Sequence, residues 1–318
     1  GPGSMGAAFT FPGQGSQLIG MGKVLTEQFV AARMVFEEVD DALSEKLSDI
    51  IFEGPADVLT LTANAQPALM AVSMAVIRVM EQLGLNVEKK VKFVAGHSLG
   101  EYSALCAAGT FSLTDTARLL RIRGNAMQAA VAVGEGSMAA LIGLDEKDVE
   151  EICEIVAEEG LCQIANDNGG GQIVISGEAK AVETAVEVAS QKGAKRAVLL
   201  PVSAPFHSAL MQPAANAMKN ALLTVNKTAP IVPLIANVSV IPESDPERIV
   251  SLLVQQVTGR VRWRETIEWI SANGVNTLFE IGSGKVLTGL ARRINKDIKA
   301  LTVGTAEEIE AALRVLGV

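Results

Sequence analysis

The stretch 91–102 constrains the fold of this 318-residue chain more than any other. Residues 91–95 form an apolar, β-branched run that predicts a buried strand, and the apolar run after Tyr102 predicts a helix. The G-x-S-x-G pattern at 96–100 between them is typical of a nucleophile elbow, a sharp strand-to-helix turn in which glycine lets two backbones approach closely. The pattern predicts a nucleophilic Ser98, with the backbone N–H of Leu99 facing an oxyanion formed there.

The pattern alone is loose, because an ordinary turn between a strand and a helix can carry a serine by chance. The strand before it and the helix after it favour the catalytic interpretation. A serine nucleophile also needs a base, and the chain has only two histidines, His97 and His207. His97 is adjacent to Ser98 and would point in a different direction, so we interpret it as a packing or hydrogen-bonding residue. His207 is the favoured base.

Composition limits the classes of function. Apolar residues make up 49% of the chain, enough for a substantial core, while aromatic residues are only 4%, which argues against base stacking on nucleic acid. The net charge of −9 argues against attraction to nucleic acid or an acidic membrane. No apolar run suggests a membrane span, and the start has no secretory pattern. Residues 1–4 resemble a tag remnant.

The cysteines indicate the redox compartment. Cys106, Cys153 and Cys162 are an odd, widely spaced set, which fits reduced thiols in a cytoplasmic protein. They form no cluster with the histidines that would suggest a zinc site.

The middle of the chain has the clearest architecture. Strands at 137–142, 161–165, 172–176 and 196–202 and helices at 145–158 and 179–192 give the order β-α-β-β-α-β, a ferredoxin-like unit whose central hairpin turn spans 166–171. On either side strands and helices alternate, including a helix at 67–83 with Pro67 in its first turn. We therefore predict a discontinuous α/β domain over 5–132 and 205–318 with a small domain inserted at 133–204. The sites of such sheets lie at the carboxyl ends of the strands.

Two glycine loops could be mistaken for phosphate-binding loops. The loop at 12–17 fails the dinucleotide pattern because Leu18 occupies the position of its last glycine, and the loop at 282–285 lacks the upstream glycine of a Walker motif, since Phe279 is there. The first loop could offer the backbone N–H of Gln14 to the catalytic site, although an ordinary turn is the simpler interpretation of the loop alone.

Four segments in this order resemble the malonyl-CoA:acyl carrier protein transacylase family of bacterial fatty acid synthesis. They are residues 11–17 (Phe-Pro-Gly-Gln-Gly-Ser-Gln), 96–101 (Gly-His-Ser-Leu-Gly-Glu), 206–207 (Phe-His) and 282–287 (Gly-Ser-Gly-Lys-Val-Leu). The resemblance extends over residues 6–315. It implies an α/β-hydrolase-like core with an inserted ferredoxin-like domain, as the pattern of elements also predicts.

The resemblance implies specific roles for the catalytic residues. Ser98 would carry the acyl group, His207 would act as general base and then acid, and the N–H groups of Gln14 and Leu99 would form the oxyanion hole. A glutamine carbonyl would orient the histidine; we favour Gln256, with Gln255 as the alternative. Arg260 replaces a proline usual in that loop, which leaves this register open.

The resemblance also implies a substrate pocket. Arg123 would bind the malonyl carboxylate, as the planar fork of a guanidinium can do; without the resemblance, a surface helix arginine would be the simpler interpretation. Gln66, Asn166 and His97 would line the pocket, and Phe206 would narrow it.

The implied reaction moves a malonyl group from malonyl-CoA to the phosphopantetheine thiol of acyl carrier protein through a malonyl-serine, with no metal or redox cofactor. A serine thioesterase or esterase using water, and a catalytically silent carrier-binding module, are the alternatives. We expect a monomer that binds neither nucleic acid nor membrane.

Because the chain is acidic, docking of an acidic carrier protein would need a local basic patch. We favour the larger of two basic clusters, Lys285, Arg292, Arg293, Lys296 and Lys299, over Lys192, Lys195 and Arg196.

Overall fold

The fold is taken from a computed structural model that describes residues 6–202 and 204–318. The proposed tag remnant at 1–4 lies outside these residues. The strands within them are β1 (Ala7–Phe11), β2 (Phe93–Gly96), β3 (Gly136–Ile142), β4 (Cys162–Gly169), β5 (Gln172–Glu178), β6 (Arg196–Leu199), β7 (Leu234–Ile235), β8 (Pro242–Glu243), β9 (Val261–Arg262), β10 (Thr277–Ile281) and β11 (Lys299–Val303).

The helices alternate with these strands through most of the chain. Those in the first half are α1 (Lys23–Gln28), α2 (Val30–Leu43), α3 (Leu47–Glu53), α4 (Ala56–Thr60), α5 (Thr62–Gln82), α6 (Val87–Lys90), α7 (Gly100–Ala107), α8 (Leu113–Ala129) and α9 (Glu146–Ile155). Those in the second half are α10 (Ala179–Gln191), α11 (Gln212–Thr224), α12 (Pro246–Thr258), α13 (Trp263–Ala272), α14 (Val286–Ile294) and α15 (Ala306–Val315).

The larger sheet has the order β11-β10-β1-β2-β7-β8 among the described residues, and its strands are parallel except for the β7–β8 pair. β1 is buried throughout because helices cover both faces of the sheet. Its side chains alternate between faces: Phe9 and Phe11 join the core beneath α5 and α8, while Ala8 joins the core beneath α13 and α14. The parallel strands β1, β2 and β7 therefore end at one edge of the sheet, where the following loops meet.

The smaller sheet has the order β6-β3-β5-β4-β9 within the described ranges. The strands β3 to β6 pair antiparallel in the order of a ferredoxin-like unit, with their own core against α9 and α10. This confirms the predicted fold class. β9 comes from outside the range 133–204 and pairs parallel to β4, with Asn166 opposite Val261. This pairing ties the small sheet to the segment after α12; the domain boundaries themselves stay a prediction.

Two local predictions were wrong. The helix predicted at 67–83 begins at Thr62, so Pro67 lies inside α5 and not in its first turn. Proline cannot donate to the carbonyl of Ala63 four residues earlier, and Arg121 Nη1 satisfies that carbonyl instead, at 2.6 Å. The predicted hairpin turn at 166–171 is also shorter, because β4 continues to Gly169 and three successive glycines with positive φ make the reversal.

The helix α5 is long and apolar enough to cross a membrane by length and composition, contrary to the expectation from the sequence. Of the most apolar 18-residue stretch of this helix, 89% is buried inside the protein, as in a core helix. Its residues form the centre of the main hydrophobic core beneath the parallel sheet.

Candidate active site

The elbow between β2 and α7 has the close backbone contacts that its glycines predict. A Cβ on Gly96 would lie 1.9 Å from the carbonyl of Gly100, and one on Gly100 would lie 2.2 Å from the carbonyl oxygen of Phe11. Ser98, at the apex, has a φ of 55° in the left-handed region, which is strained for a residue with a side chain. The turn therefore holds a serine hydroxyl at the carboxyl edge of the sheet.

Ser98 and His207 are brought together there from residues 109 positions apart, with Ser98 Oγ 2.7 Å from His207 Nε2. His207 Nδ1 lies 2.8 Å from the backbone carbonyl oxygen of Gln256. A carbonyl oxygen only accepts, so Nδ1 carries the ring proton and Nε2 of the neutral ring accepts from the serine hydroxyl. This is the tautomer that a general base needs.

The geometry distinguishes the two glutamines at the end of α12. Gln256 is fully buried and supplies the carbonyl that faces His207. The side chain of Gln255 is exposed and donates to Ser251 on its own helix. Arg260, at the position of the usual proline, points away to the carboxylates of Glu146 and Glu150.

The surroundings of His207 favour its neutral form. Burial, and after it the positive charge of Arg123, lower its pKa to about 3, although the hydrogen bond to Gln256 opposes the shift. The ring is thus an unprotonated base at neutral pH. His207 also has a positive φ of 57°, a second strained residue at the site.

Arg123 extends from α8 into the site and is only 1% exposed. Its Nη2 donates to Ser98 Oγ at 3.2 Å and to Gln256 Oε1 at 2.6 Å, and its Nη1 donates to Gln66 Oε1 at 2.9 Å. In the described part of the chain no carboxylate contacts this guanidinium, and its Nε has no hydrogen-bond partner. A buried positive charge with only amide and hydroxyl partners beside a nucleophile is suited to a substrate carboxylate.

The two predicted oxyanion donors lie beside the serine on neighbouring strand-to-helix connections. Leu99 immediately precedes α7, and Gln14 follows β1, where its side chain donates to Thr62 at 3.1 Å and anchors the loop. Neither backbone N–H donates to another group among residues 6–202 and 204–318. The N–H of Ser98 is occupied by Asn237 Oδ1 at 2.9 Å, so it cannot serve as a third donor.

The site opens into a cavity of about 440 Å³ between the two sheets, lined by Ser98, His207, Arg123, Gln14, His97, Asn166, Asn168, Phe206 and others. His97 does not contact Ser98 through its ring; its Nε2 lies 2.8 Å from Asn168 Oδ1, and the ring packs against Trp263. Asn166 has a buried Oδ1 without a partner in the described residues. Gln66 lies behind Arg123 and is not among the residues lining the cavity. The roles predicted for these side chains in substrate binding stay predictions.

Sequence reasoning missed three polar residues of the site. Asn237 contacts the elbow, Glu101 contacts Asn237 and Gln256, and Asn168 contacts His97. Two of them carried a signal in the sequence: Glu101 is a carboxylate in an apolar helix, and Asn237 follows a core strand at the carboxyl edge of the sheet.

Comparisons with known proteins agree with this geometry. The acyl transferase domain family matches residues 8–311. The malonyl CoA-acyl carrier protein transacylase of Bacillus subtilis (strain 168) is 49% identical over 310 residues, which are 97% of this chain and 96% of that protein. The solved structure of the same kind of transacylase from Coxiella burnetii matches with a TM-score of 0.95 at 40% identity, covering 98% of each chain.

A further solved structure shows a type II PKS acyl-carrier protein in complex with its malonyl-transacylase. It matches with a TM-score of 0.94 at 41% identity, over 98% of this chain and 99% of that chain.

Proposed function

The chain belongs to the malonyl-CoA:acyl carrier protein transacylase family, and on that premise we propose that it transfers a malonyl group from malonyl-CoA to the phosphopantetheine thiol of acyl carrier protein. The observation that carries the proposal is the placement of Arg123 Nη2 3.2 Å from Ser98 Oγ. A nucleophile for the thioester and a receptor for a free carboxylate are thereby side by side, as a malonyl thioester requires.

In the first half-reaction His207 Nε2 removes the proton from Ser98 Oγ as that oxygen attacks the thioester carbonyl carbon. The N–H groups of Leu99 and Gln14 stabilise the oxyanion. The carbon–sulfur bond then breaks, and the proton on Nε2 goes to the sulfur of coenzyme A, leaving malonyl-Ser98. In the second half-reaction the carrier-protein thiol attacks the carbonyl carbon of malonyl-Ser98 and gives its proton to His207 Nε2. The ester bond to Ser98 Oγ then breaks, and that oxygen takes the proton back. Both half-reactions as written use only these side-chain and backbone groups, so neither involves a metal or redox cofactor.

Gln256 orients the histidine through an uncharged carbonyl. Such a group fixes the tautomer but stabilises the imidazolium less than a carboxylate would.

Intact-protein mass spectrometry after mixing with malonyl-CoA tests the proposal. We expect a stable adduct of one malonyl group that is absent from Ser98→Ala and is discharged by the thiol of holo acyl carrier protein. Rapid loss of the adduct to water would instead favour the thioesterase or esterase alternative, and absence of any adduct in the native protein would favour the silent binding module.

For docking of the acidic carrier protein we propose the basic face around α14. Lys285, Arg292 and Arg293 line a groove of about 760 Å³, and this groove shares Gln172, Val286 and Leu290 with the catalytic cavity. In the rival cluster, Lys192 already lies 4.0 Å from a carboxylate oxygen of Glu151. These observations support the α14 face, of which Lys296 and Lys299 are further exposed members.

Charge reversal of Arg292 and Arg293 to glutamate should raise the KM for acyl carrier protein and weaken its salt dependence. The malonyl-CoA half-reaction should change little. The matched control is reversal of Lys195 and Arg196. An unchanged carrier-protein KM in the first variant would exclude this face. The cytoplasmic location and the monomeric state expected from the sequence stay proposals. The three cysteines are free thiols, but the expected lack of close pairing is wrong, since the Sγ atoms of Cys153 and Cys162 lie 3.5 Å apart.

A further inference from the structure

A buried polar cluster lies directly beneath the elbow. It consists of Glu101 on α7, Asn237 after β7 and Gln256 on α12, and all three residues are fully buried. Building on the proposed function, we infer that this elbow cluster positions two separate parts of the site: Asn237 positions the nucleophile, and the side chain of Gln256 positions the carboxylate-binding arginine.

Asn237 bridges the two sides of the elbow. Its Nδ2 donates to the carbonyl of Gly96 at 2.8 Å, and its Oδ1 accepts from the N–H of Ser98 at 2.9 Å. Asn237 thus binds a backbone group on each side of His97 in the turn, where Ser98 is held at a strained φ of 55°. The bridge therefore stabilises the one backbone conformation that directs Ser98 Oγ at His207.

The side chain of Gln256 connects the elbow to Arg123. Its Nε2 donates to the carbonyl of Ser98 and to Glu101 Oε1, both at 2.9 Å, and its Oε1 accepts from Arg123 Nη2 at 2.6 Å. The amide thus stands between a buried carboxyl group and a buried guanidinium. Without it, Arg123 could pair with Glu101 directly and would be lost to a substrate carboxylate.

Glu101 fixes the orientation of the other two members. Its Oε1 accepts from Gln256 Nε2 and from the backbone N–H of Asn237, at 2.9 and 3.1 Å. An acceptor at this point requires the NH₂ end of the Gln256 amide to face it, so the oxygen end faces Arg123. Since the three residues come from three elements, the cluster also sets how α7, β7 and α12 meet.

The two roles predict different kinetic effects, measured as single-turnover acylation rates with malonyl-CoA and acetyl-CoA by quenched-flow and intact mass. Asn237→Leu removes the bridge at similar shape and should lower both rates together, by about 10²-fold, because the attacking oxygen is misplaced. Gln256→Met removes the amide but retains the backbone carbonyl for His207. It should lower the malonyl-to-acetyl rate ratio by about tenfold or more.

The control is Ser73→Ala, which removes a buried hydrogen bond of 2.8 Å to the carbonyl of Ile281, outside the cluster. It should lower Tm without changing either acylation rate. If Asn237→Leu does not fold, Asn237→Asp replaces it: aspartate loses the donor to Gly96 and should lower both acylation rates together. If Gln256→Met does not fold, Gln256→Glu replaces it: glutamate neutralises the charge of Arg123 and should lower the malonyl-to-acetyl rate ratio.

The outcomes separate this inference from the proposed function. Failure of the native protein to form a malonyl adduct would refute the proposed function. Normal acylation of the native protein, with cluster variants that behave like Ser73→Ala, would overturn the positioning roles. An equal fall of both substrates in the Gln256 variant would overturn its role toward Arg123.

Discussion

Replacing Arg123 by alanine should convert a malonyl-selective site into one that accepts uncharged acyl groups. Arg123 is 1% exposed, and among the described residues its guanidinium has only neutral hydrogen-bond partners. A bound malonyl carboxylate would therefore be its direct counter-charge. In the alanine variant the carboxylate would enter the same buried space unpaired. Acetyl-CoA has no such group and should not be penalised.

The structure sets the size of the effect. Removing one partner of a buried, hydrogen-bonded ion pair costs about 3–5 kcal/mol. At about 1.4 kcal/mol for each factor of ten, malonyl kcat/KM should fall by about 10²- to 10⁴-fold. Acetyl kcat/KM should stay within a fewfold of the native value or rise, because acetyl transfer no longer has to occur beside an unpaired charge.

The assay compares acyl transfer from malonyl-CoA and acetyl-CoA for the native protein and two variants. Arg121→Ala is the matched control: it lies two residues away on α8, but its guanidinium pairs with Glu45 and the carbonyl of Ala63. It should leave the ratio between the two substrates unchanged. An equal loss for both substrates in Arg123→Ala would refute a carboxylate-binding role and make the residue structural.

Three further results are expected. His207→Ala should slow both half-reactions about 10²–10⁴-fold, measured as adduct formation on Ser98 and its discharge; unchanged rates would remove the histidine from the mechanism. The lowered pKa of His207, about 3 against 6.5 when unfolded, means that the unfolded chain binds a proton first as pH falls. The native protein should therefore lose about 2–3 kcal/mol between pH 6.5 and 4.5 that His207→Asn does not lose, by urea denaturation at each pH; parallel pH profiles would contradict this. Gly100→Ala should destabilise strongly or prevent folding, because its Cβ would lie 2.2 Å from the carbonyl oxygen of Phe11, whereas Gly289→Ala, in open space within α14, should be neutral or stabilising by up to about 1 kcal/mol. Similar denaturation midpoints for the two glycine variants would show that the elbow tolerates a side chain.

The sequence alone was sufficient for the parts of the protein that depend on local physics. The strand, the two glycines and the helix around Ser98 predict the elbow because only residues without a Cβ permit that backbone approach. The periodicities of 137–202 predict the ferredoxin-like unit because each element has to bury one face. The scarcity of histidine reduced the choice of base to His207 against His97. For Arg123, by contrast, the residues themselves favoured a surface position, and only the family resemblance placed it in the site.

Tertiary structure decided everything that depends on contacts between distant segments. Gln256 and Gln255 differ by one position on α12, and only the packing of that helix determines which carbonyl faces His207. The start of α5 at Thr62 depends on Arg121 from another helix, which satisfies the carbonyl that Pro67 leaves free. Asn237 lies 139 residues from Ser98 along the chain, yet it holds the turn that local sequence only permits. Periodicity and turn chemistry act over a few residues, whereas burial of a charge or an unpaired amide is settled by whichever side chains the whole fold brings within hydrogen-bond distance.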